Sequence, residues 1–95
     1  MAVHELRSQE AQHDSGVILR SAGREAVQLE LDGRTLRLEI DRGVGRDLFY
    51  LPASPVWDDG TPMDPALAGR LPQIIGEIEE FWGSSAQFRI LPAAR

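Results

Sequence analysis

Apolar and polar residues alternate in two neighbouring segments of the first half of the chain, a pattern that predicts half-buried β-strands. The apolar positions of these segments are Val27, Leu29, Leu31, Leu36, Leu38 and Ile40. Asp32-Gly33 separates the segments and is typical of a two-residue hairpin turn, since both residues accept a positive φ. This turn sets a register in which Leu29 faces Leu36 on the buried side of the sheet.

Three other segments are predicted to be strands: 17–20, 46–51 and 86–91. The hairpin register, extended beyond the apolar pairs, places Arg24 opposite Asp41 on the polar side. A glycine-rich turn follows over 41–45. Pro52 ends the fourth strand because proline cannot donate to a β-ladder.

A helix is predicted in the C-terminal half, where apolar residues recur at intervals of three and four. They are Leu67, Leu71, Ile74, Ile75, Ile78 and Trp82. Asp64 is a favourable N-cap and Pro65 suits the first helical position, while Gly83 is placed to end the helix. Pro72 removes a backbone donor, so we expect either a kink there or a short turn followed by a main helix over about 72–82.

The predicted order is β-β-β-β-α-β, an α+β fold in which one amphipathic helix packs on one face of a four-stranded antiparallel β-meander. The final C-terminal strand either joins the sheet edge or inserts in parallel beside an earlier strand. Residues 1–15 contain few large apolar side chains and are predicted to be a flexible N-terminal tail. Residues 16–95 are predicted to form a single α+β domain.

Composition excludes several classes of protein. The 95 residues include no cysteine, which excludes disulfides, thiolate zinc sites and a cysteine nucleophile. No apolar run is long enough to span a membrane, and the N-terminus lacks the apolar core of a signal peptide, so we expect a cytoplasmic protein. All ten basic residues are arginines interleaved with acids, and the net charge is −5. Nucleic acid is therefore not expected as a partner.

Candidate catalytic chemistry is sparse. The two histidines, His4 and His13, fall in the predicted tail and are interpreted as exposed. Asp58 and Asp59, with Asp64, could form a small carboxylate- or metal-dependent enzyme site. A turn at Asp58 and Asp59 and an N-cap at Asp64 account for the same residues, so we predict no catalytic residue, cofactor or metal.

An acidic surface is predicted on the C-terminal half. Residues 57–95 hold six acids and three arginines, and Glu77, Glu79 and Glu80 are assigned to the solvent side of the helix. Trp57 is either a lid over the core or an interface hot spot. The predicted docking surface for a basic protein partner consists of Trp57, Asp58, Asp59, Glu77 and Glu80.

Five stretches together resemble small bacterial immunity proteins of polymorphic toxin systems: GRTLRLEIDRG, DLFYL, PVWDDGTPMD, LPQIIGEIEEFW and FRIL. The resemblance covers residues 16–91. The residues that carry it are Gly33, Trp57, Pro62, Ile74, Ile75, Ile78, Phe88 and Ile90. The glycine-rich turn after Ile40 and the helical Pro72 depart from the pattern. The resemblance implies a cytoplasmic protein that binds and neutralises a cognate toxin without chemistry of its own.

A third interpretation is a homo-oligomeric structural module, such as a homodimer. One helix can cover only one face of the predicted sheet. The opposite face is expected to bear Leu19, Leu48 or Phe49, which a second copy would cover.

Overall fold

The computed structural model describes residues 3–92 and has an α+β architecture with more strands than the sequence predicts. The elements are β1 (Val3–Arg7), β2 (Glu10–His13), β3 (Ile18–Ser21), β4 (Ala26–Leu31), β5 (Arg34–Arg42), β6 (Arg46–Pro52), α1 (Pro65–Phe81) and β7 (Ser85–Leu91). The seven strands form one sheet in chain order. Every neighbouring pair is antiparallel except β6 and β7, which are parallel.

The predicted hairpin between β4 and β5 is confirmed. Leu29 lies opposite Leu36 in the sheet, and both are buried. The turn residues Asp32 and Gly33 have φ values of 53° and 83°, the pair of positive angles that matches the twist of the flanking strands. Local turn chemistry therefore fixes the register of the central strands.

The polar side of this hairpin is shorter than predicted. Strand pairing ends at Ala26 and Glu39, so Arg24 does not pair with Asp41 in the ladder. Arg24 belongs to the β3–β4 turn, and its carbonyl accepts a hydrogen bond from Nε of Arg42 at 2.9 Å. Arg42 therefore ties this turn to β5, together with a backbone hydrogen bond from the N–H of Ile40 to the carbonyl of Glu25 at 2.9 Å.

The N-terminal segment predicted as a flexible tail contains β1 and β2. Ala11 is fully buried and lies opposite Leu19 of β3, and Val3 joins the same core. Backbone pairing with an existing sheet edge orders this segment, although it offers only small or few apolar side chains. His13 is also buried, which corrects its interpretation as an exposed tail residue.

The sheet curls around the helix. In a flat sheet of seven strands the two edges would lie about 29 Å apart, whereas a helix with its side chains is only about 10 Å across. Yet α1 packs against both β1 and β7, the two edge strands. The apolar face of the sheet is therefore the concave one, and α1 fills it.

The helix begins as the sequence predicts and continues through Pro72. The carboxylate of Asp64 accepts a hydrogen bond from the N–H of Ala66 at 2.9 Å, and Pro65 occupies the first turn. Pro72 lies inside a single helix of 17 residues. Of the two alternatives, separation into a turn and a shorter helix is wrong, because the packed apolar face holds the helix together across the missing donor.

The helix ends in a Schellman motif. Gly83 has a φ of 80°; its N–H donates to the carbonyl of Glu80, and the N–H of Ser84 donates to that of Glu79. These bonds satisfy carbonyls that the end of the helix would leave open. The chain then turns directly into β7.

The final strand is both parallel and at the sheet edge. Parallel neighbours need a long crossover, and α1 supplies the connection between β6 and β7. Phe49 and Phe88 lie opposite each other in this pair, with ring centroids 5.7 Å apart. The crossover therefore places the C-terminal strand beside the last strand of the meander.

The convex face of the sheet is mostly polar, which corrects the expectation of an apolar one. Of the three residues expected there, Leu19 and Phe49 are buried on the concave side, and Leu48 lies on the convex side, half-buried. Arg20 bridges Glu10 and Glu30 across three strands at 3.0 and 2.9 Å. One face of the sheet therefore carries the core and the other carries ion pairs.

Alanine at Gly83 is expected to destabilise the protein by about 1 kcal/mol, because the left-handed backbone there strains an L-residue. Alanine at Gly76, inside the helix, should stabilise it by about 0.5–1 kcal/mol through helix propensity. A Cβ atom meets no neighbour within 4 Å at either position, so backbone conformation alone separates the two. Urea unfolding of both variants measures the difference, and equal effects would contradict it.

Ala11→Asp is expected to destabilise the protein by more than about 3 kcal/mol, since it buries an unpaired charge beneath β2. Ser8→Asp, in the exposed β1–β2 turn, is the control and should change the stability by less than about 0.5 kcal/mol. Thermal and urea unfolding provide the measurement. A flexible tail would tolerate both changes equally.

Candidate functional site

An open cleft of about 1430 Å³ lies at the end of the sheet where the helix ends. Its walls come from the β1–β2 turn, the β3–β4 turn, the adjoining ends of β5 and β6, and Trp82 after the helix. These elements meet because antiparallel strands bring alternate turns to the same end of a sheet.

The cleft is acidic. The charged residues that line it are Glu5, Arg24, Glu25, Asp41, Arg42, Asp47 and Glu79. Five acidic residues and two arginines thus line the cleft, although the carboxylate of Asp41 is hydrogen-bonded to Tyr50. An acidic concave surface attracts cations and basic groups.

Two of these carboxyl groups are buried side by side. Asp47 is the second residue of β6 and Glu79 lies in the last turn of α1; their exposed fractions are 8% and 3%. The two side chains are within hydrogen-bonding reach of each other. Oε1 of Glu79 is inaccessible to solvent and has no hydrogen-bond partner among residues 3–92. A buried polar atom without a partner is costly and marks the site as unusual.

The surroundings of Glu79 favour its protonated form. Burial, followed by the hydrogen bond and charge of Asp47, raises the pKa of Glu79 from 4.5 to about 8, against a smaller lowering effect of Arg42. The helix C-terminus carries partial negative charge, which also disfavours a carboxylate in the last turn. A proton shared between the two carboxyl groups removes their mutual repulsion.

Arg42 is held away from this acid pair. Its guanidinium donates to the carbonyls of Arg24 and Gly23 and to Oγ of Ser21, at 2.9, 3.4 and 3.3 Å. Its Nη1 lies 3.9 Å from Oδ2 of Asp47, at the limit of an ion pair. Arg42 therefore ties the β3–β4 turn to β5 and leaves most of the charge of the pair uncompensated.

The sequence-predicted docking residues are divided between the two ends of the helix. Trp57 is 6% exposed and belongs to the core cluster, so of its two interpretations the lid is the one observed. Glu77 and Glu80 lie about 20 and about 24 Å along the helix from its N-cap, and the loop that contains Trp57 leads directly into that N-cap. These residues do not form one continuous surface.

The three aspartates of the enzyme alternative have structural partners. Asp58 accepts a hydrogen bond from Oγ1 of Thr35 at 3.2 Å. Asp59 accepts from the N–H of Thr61 at 2.8 Å and from Arg34 at 3.3 Å, which lowers its pKa. Across residues 3–92, no three histidine, aspartate or glutamate side chains cluster as a metal site would require.

The carboxylate of Glu77 also has a partner within the protein. Its carboxylate is hydrogen-bonded to Nε2 of the buried His13, whose Nδ1 is hydrogen-bonded to Ser15 at 2.9 Å. This contact attaches β2 to the helix. Glu80 is exposed, as predicted.

Sequence reasoning missed the acid pair, because Glu79 was assigned to the solvent side together with its neighbours. Its spacing carried a signal: Glu79 follows Ile75 by four residues and precedes Trp82 by three, so it continues the apolar face. Asp47 likewise shares the face of Phe49 and Leu51, two and four residues later. The sequence analysis gave the charge of Glu79 more weight than its position in the apolar repeat.

Comparison of the chain with protein-family models, curated protein sequences and solved structures gave no match. The resemblance to immunity proteins therefore remains an interpretation of the sequence. The helix found in residues 3–92 is neither long enough nor apolar enough to cross a membrane.

Glu79→Gln is expected to remove part of the pH dependence of stability. The folded protein keeps this carboxyl protonated up to a pH of about 8, whereas in the unfolded chain it ionises near 4.5. The folded state binds more protons within that window, so the free energy of unfolding falls as the pH rises through it. The contribution of Glu79 to this fall should be roughly 2–4 kcal/mol.

Urea unfolding at several pH values between these limits measures the effect. At about pH 8 the Glu79→Gln variant should be more stable than the natural protein, and near pH 4.5 the two should have similar stability. Glu80→Gln changes the adjacent exposed residue and should keep the natural slope. Identical slopes for Glu79→Gln and the natural protein would contradict the assignment.

Proposed function

We propose that this chain acts by binding a basic protein partner and has no catalytic activity of its own. As the resemblance to immunity proteins implies, the partner is a toxin domain that binding neutralises. The observation that carries the proposal is the acidic cleft with Asp47 and Glu79 at its wall. A basic segment of the partner that entered the cleft would complement it in both charge and shape.

The structural roles of the other acids support binding over catalysis. Asp58 accepts from Thr35 of β5, Asp59 from the N–H of Thr61 in its turn, and Asp64 caps the helix, so all three carboxylates bond to the protein's own donors. The enzyme alternative at these residues has no observation in its favour. Glu79 at the cleft, by contrast, has an acceptor, Oε1, without a donor among residues 3–92.

The convex face gives little support to a homodimer that covers an apolar sheet. Its side chains include the Arg20 ion pairs with Glu10 and Glu30, and polar ladders of this kind are stable in water. We therefore place the partner surface at the cleft, with the exposed Glu5 and Glu25 at its rim.

The test starts from the immobilised chain and an extract of the source cell. Any basic protein it retains is purified, and both association and dissociation rates are measured from about 50 mM to about 500 mM salt. We expect a one-to-one complex whose association slows with salt, since acidic rim residues steer a basic partner. If the partner is a toxin, its expression should arrest growth and coexpression of this chain should restore it.

Two matched double variants locate the surface. Glu5→Gln with Glu25→Gln neutralises the cleft rim and should slow association several-fold. Asp14→Asn with Glu80→Gln makes the same charge change on exposed residues outside the cleft and should leave the rate unchanged. A salt-independent rate, or an effect of the second variant alone, would contradict docking at the cleft.

A further inference from the structure

Beneath the wall of the cleft lies a buried hydrogen-bond acceptor, next to a second carboxyl group. Oε1 of Glu79 is buried and has no donor among residues 3–92, and Asp47 beside it forms a long ion pair with Arg42, at 3.9 Å. Both residues line the cleft. A group that entered here with N–H donors and positive charge would satisfy the acceptor and compensate both carboxylates.

The chemistry of the site distinguishes among cations. Ca²⁺ takes about six to eight oxygen ligands and Mg²⁺ keeps several waters beside one or two carboxylates; among residues 3–92 no three acidic or histidine side chains cluster as a metal site. An ammonium group is a compact point charge with a strongly bound water shell. A guanidinium is planar, weakly hydrated and has parallel donors that can bond two neighbouring carboxylates at once.

An aromatic surface lies next to the acid pair. Trp82 lines the cleft and is half-buried, so part of its indole is available for contact. Guanidinium groups stack on aromatic faces while their edges donate hydrogen bonds. Two acceptors beside one aromatic face is the arrangement that an arginine side chain satisfies.

We propose that the cleft is a binding site for one arginine side chain of the partner, whose guanidinium donates to Asp47 and, once the Glu79 side chain turns toward the cleft, to its Oε1, while its flat face lies against Trp82. This inference rests on the proposed function, in which the partner is a basic protein. It specifies that a single inserted arginine, and not diffuse charge, provides the anchor.

Binding should be coupled to release of a proton. Glu79 must ionise to accept from the guanidinium, and its proton leaves to solvent. The charged groups that act on it are Asp47 from β6 and Arg42 from β5. Glu5 from β1 and Arg24 and Glu25 from the β3–β4 turn line the same cleft, whereas the carboxylate of Asp41 accepts a hydrogen bond from Tyr50. Arginine keeps its own charge at every relevant pH, so a change of affinity with pH reflects ionisation of a group on the protein and not on the probe.

The probe is N-acetyl-arginine methylamide, titrated into the isotope-labelled full chain and followed by amide NMR. We expect saturable shifts confined to Asp47, Glu79, Trp82 and their neighbours. Because the pKa of Glu79 is about 8, affinity should rise about ten-fold between about pH 7 and about pH 9. The citrulline analogue, which has the same shape without charge, should not bind.

Two variants with matched charge test the assignment. Glu79→Gln should abolish the pH dependence of probe affinity and lower that affinity at the higher pH. Glu80→Gln changes the next residue of the same helix, outside the cleft, and should bind the probe as the natural protein does. The amide spectrum of each variant without probe shows whether it is folded. Equal binding by both variants, or shifts centred on another surface, would overturn the proposal.

Binding measurements with the protein partner distinguish failure of this inference from failure of the proposed function. Faster dissociation of the partner from Glu79→Gln supports both. If the partner binds that variant normally and the probe does not bind the natural protein, the arginine site is overturned and the proposed function stands. If the probe binds in the cleft and the chain retains no basic protein, the arginine site stands and the proposed function is overturned.

Discussion

The structure depends on one constraint: a single helix must cover the apolar face of seven strands. A flat sheet would leave most of that face in water, at a cost proportional to the exposed area. The sheet therefore curls until β1 and β7 both contact α1. Ile74, Ile75 and Ile78 are then fully buried, and the same curvature brings distant segments of the chain to the ends of the helix.

Curvature has different consequences at the two ends. Where the helix begins, the loop between β6 and α1 folds over the core with Trp57 and Met63, both nearly buried. Where the helix ends, the connections are short turns that cannot cover the concave face. That end stays open as the cleft, and the last turn of the helix forms its wall. The location of the acid pair thus follows from loop length as much as from the acids themselves.

The electrostatic character of each acid is a property of its position in the fold. Asp58 and Asp59 follow one another in a loop and both have donors: Thr35 of β5 donates to Asp58, and the N–H of Thr61 in the same turn donates to Asp59. Asp47 and Glu79 lie 32 positions apart in the sequence and become neighbours only through the crossover. Burial then raises the pKa of Glu79. The adjacent acids of the loop, Asp58 and Asp59, are visible in the sequence, whereas the unsatisfied acceptor belongs to the pair of Asp47 and Glu79, which only the fold brings together.

Sequence alone determined the features whose energetics are local. The Asp32-Gly33 turn fixed the central register, and Asp64 and Gly83 fixed the helix ends, because each acts through backbone angles and hydrogen bonds within a few residues. Tertiary structure decided the rest. β1 and β2 form because a sheet edge offers them backbone partners, His13 is buried because Glu77 meets it, and Pro72 is accepted because the packed face holds the helix. These outcomes depend on contacts between residues far apart in the chain, which no local pattern encodes.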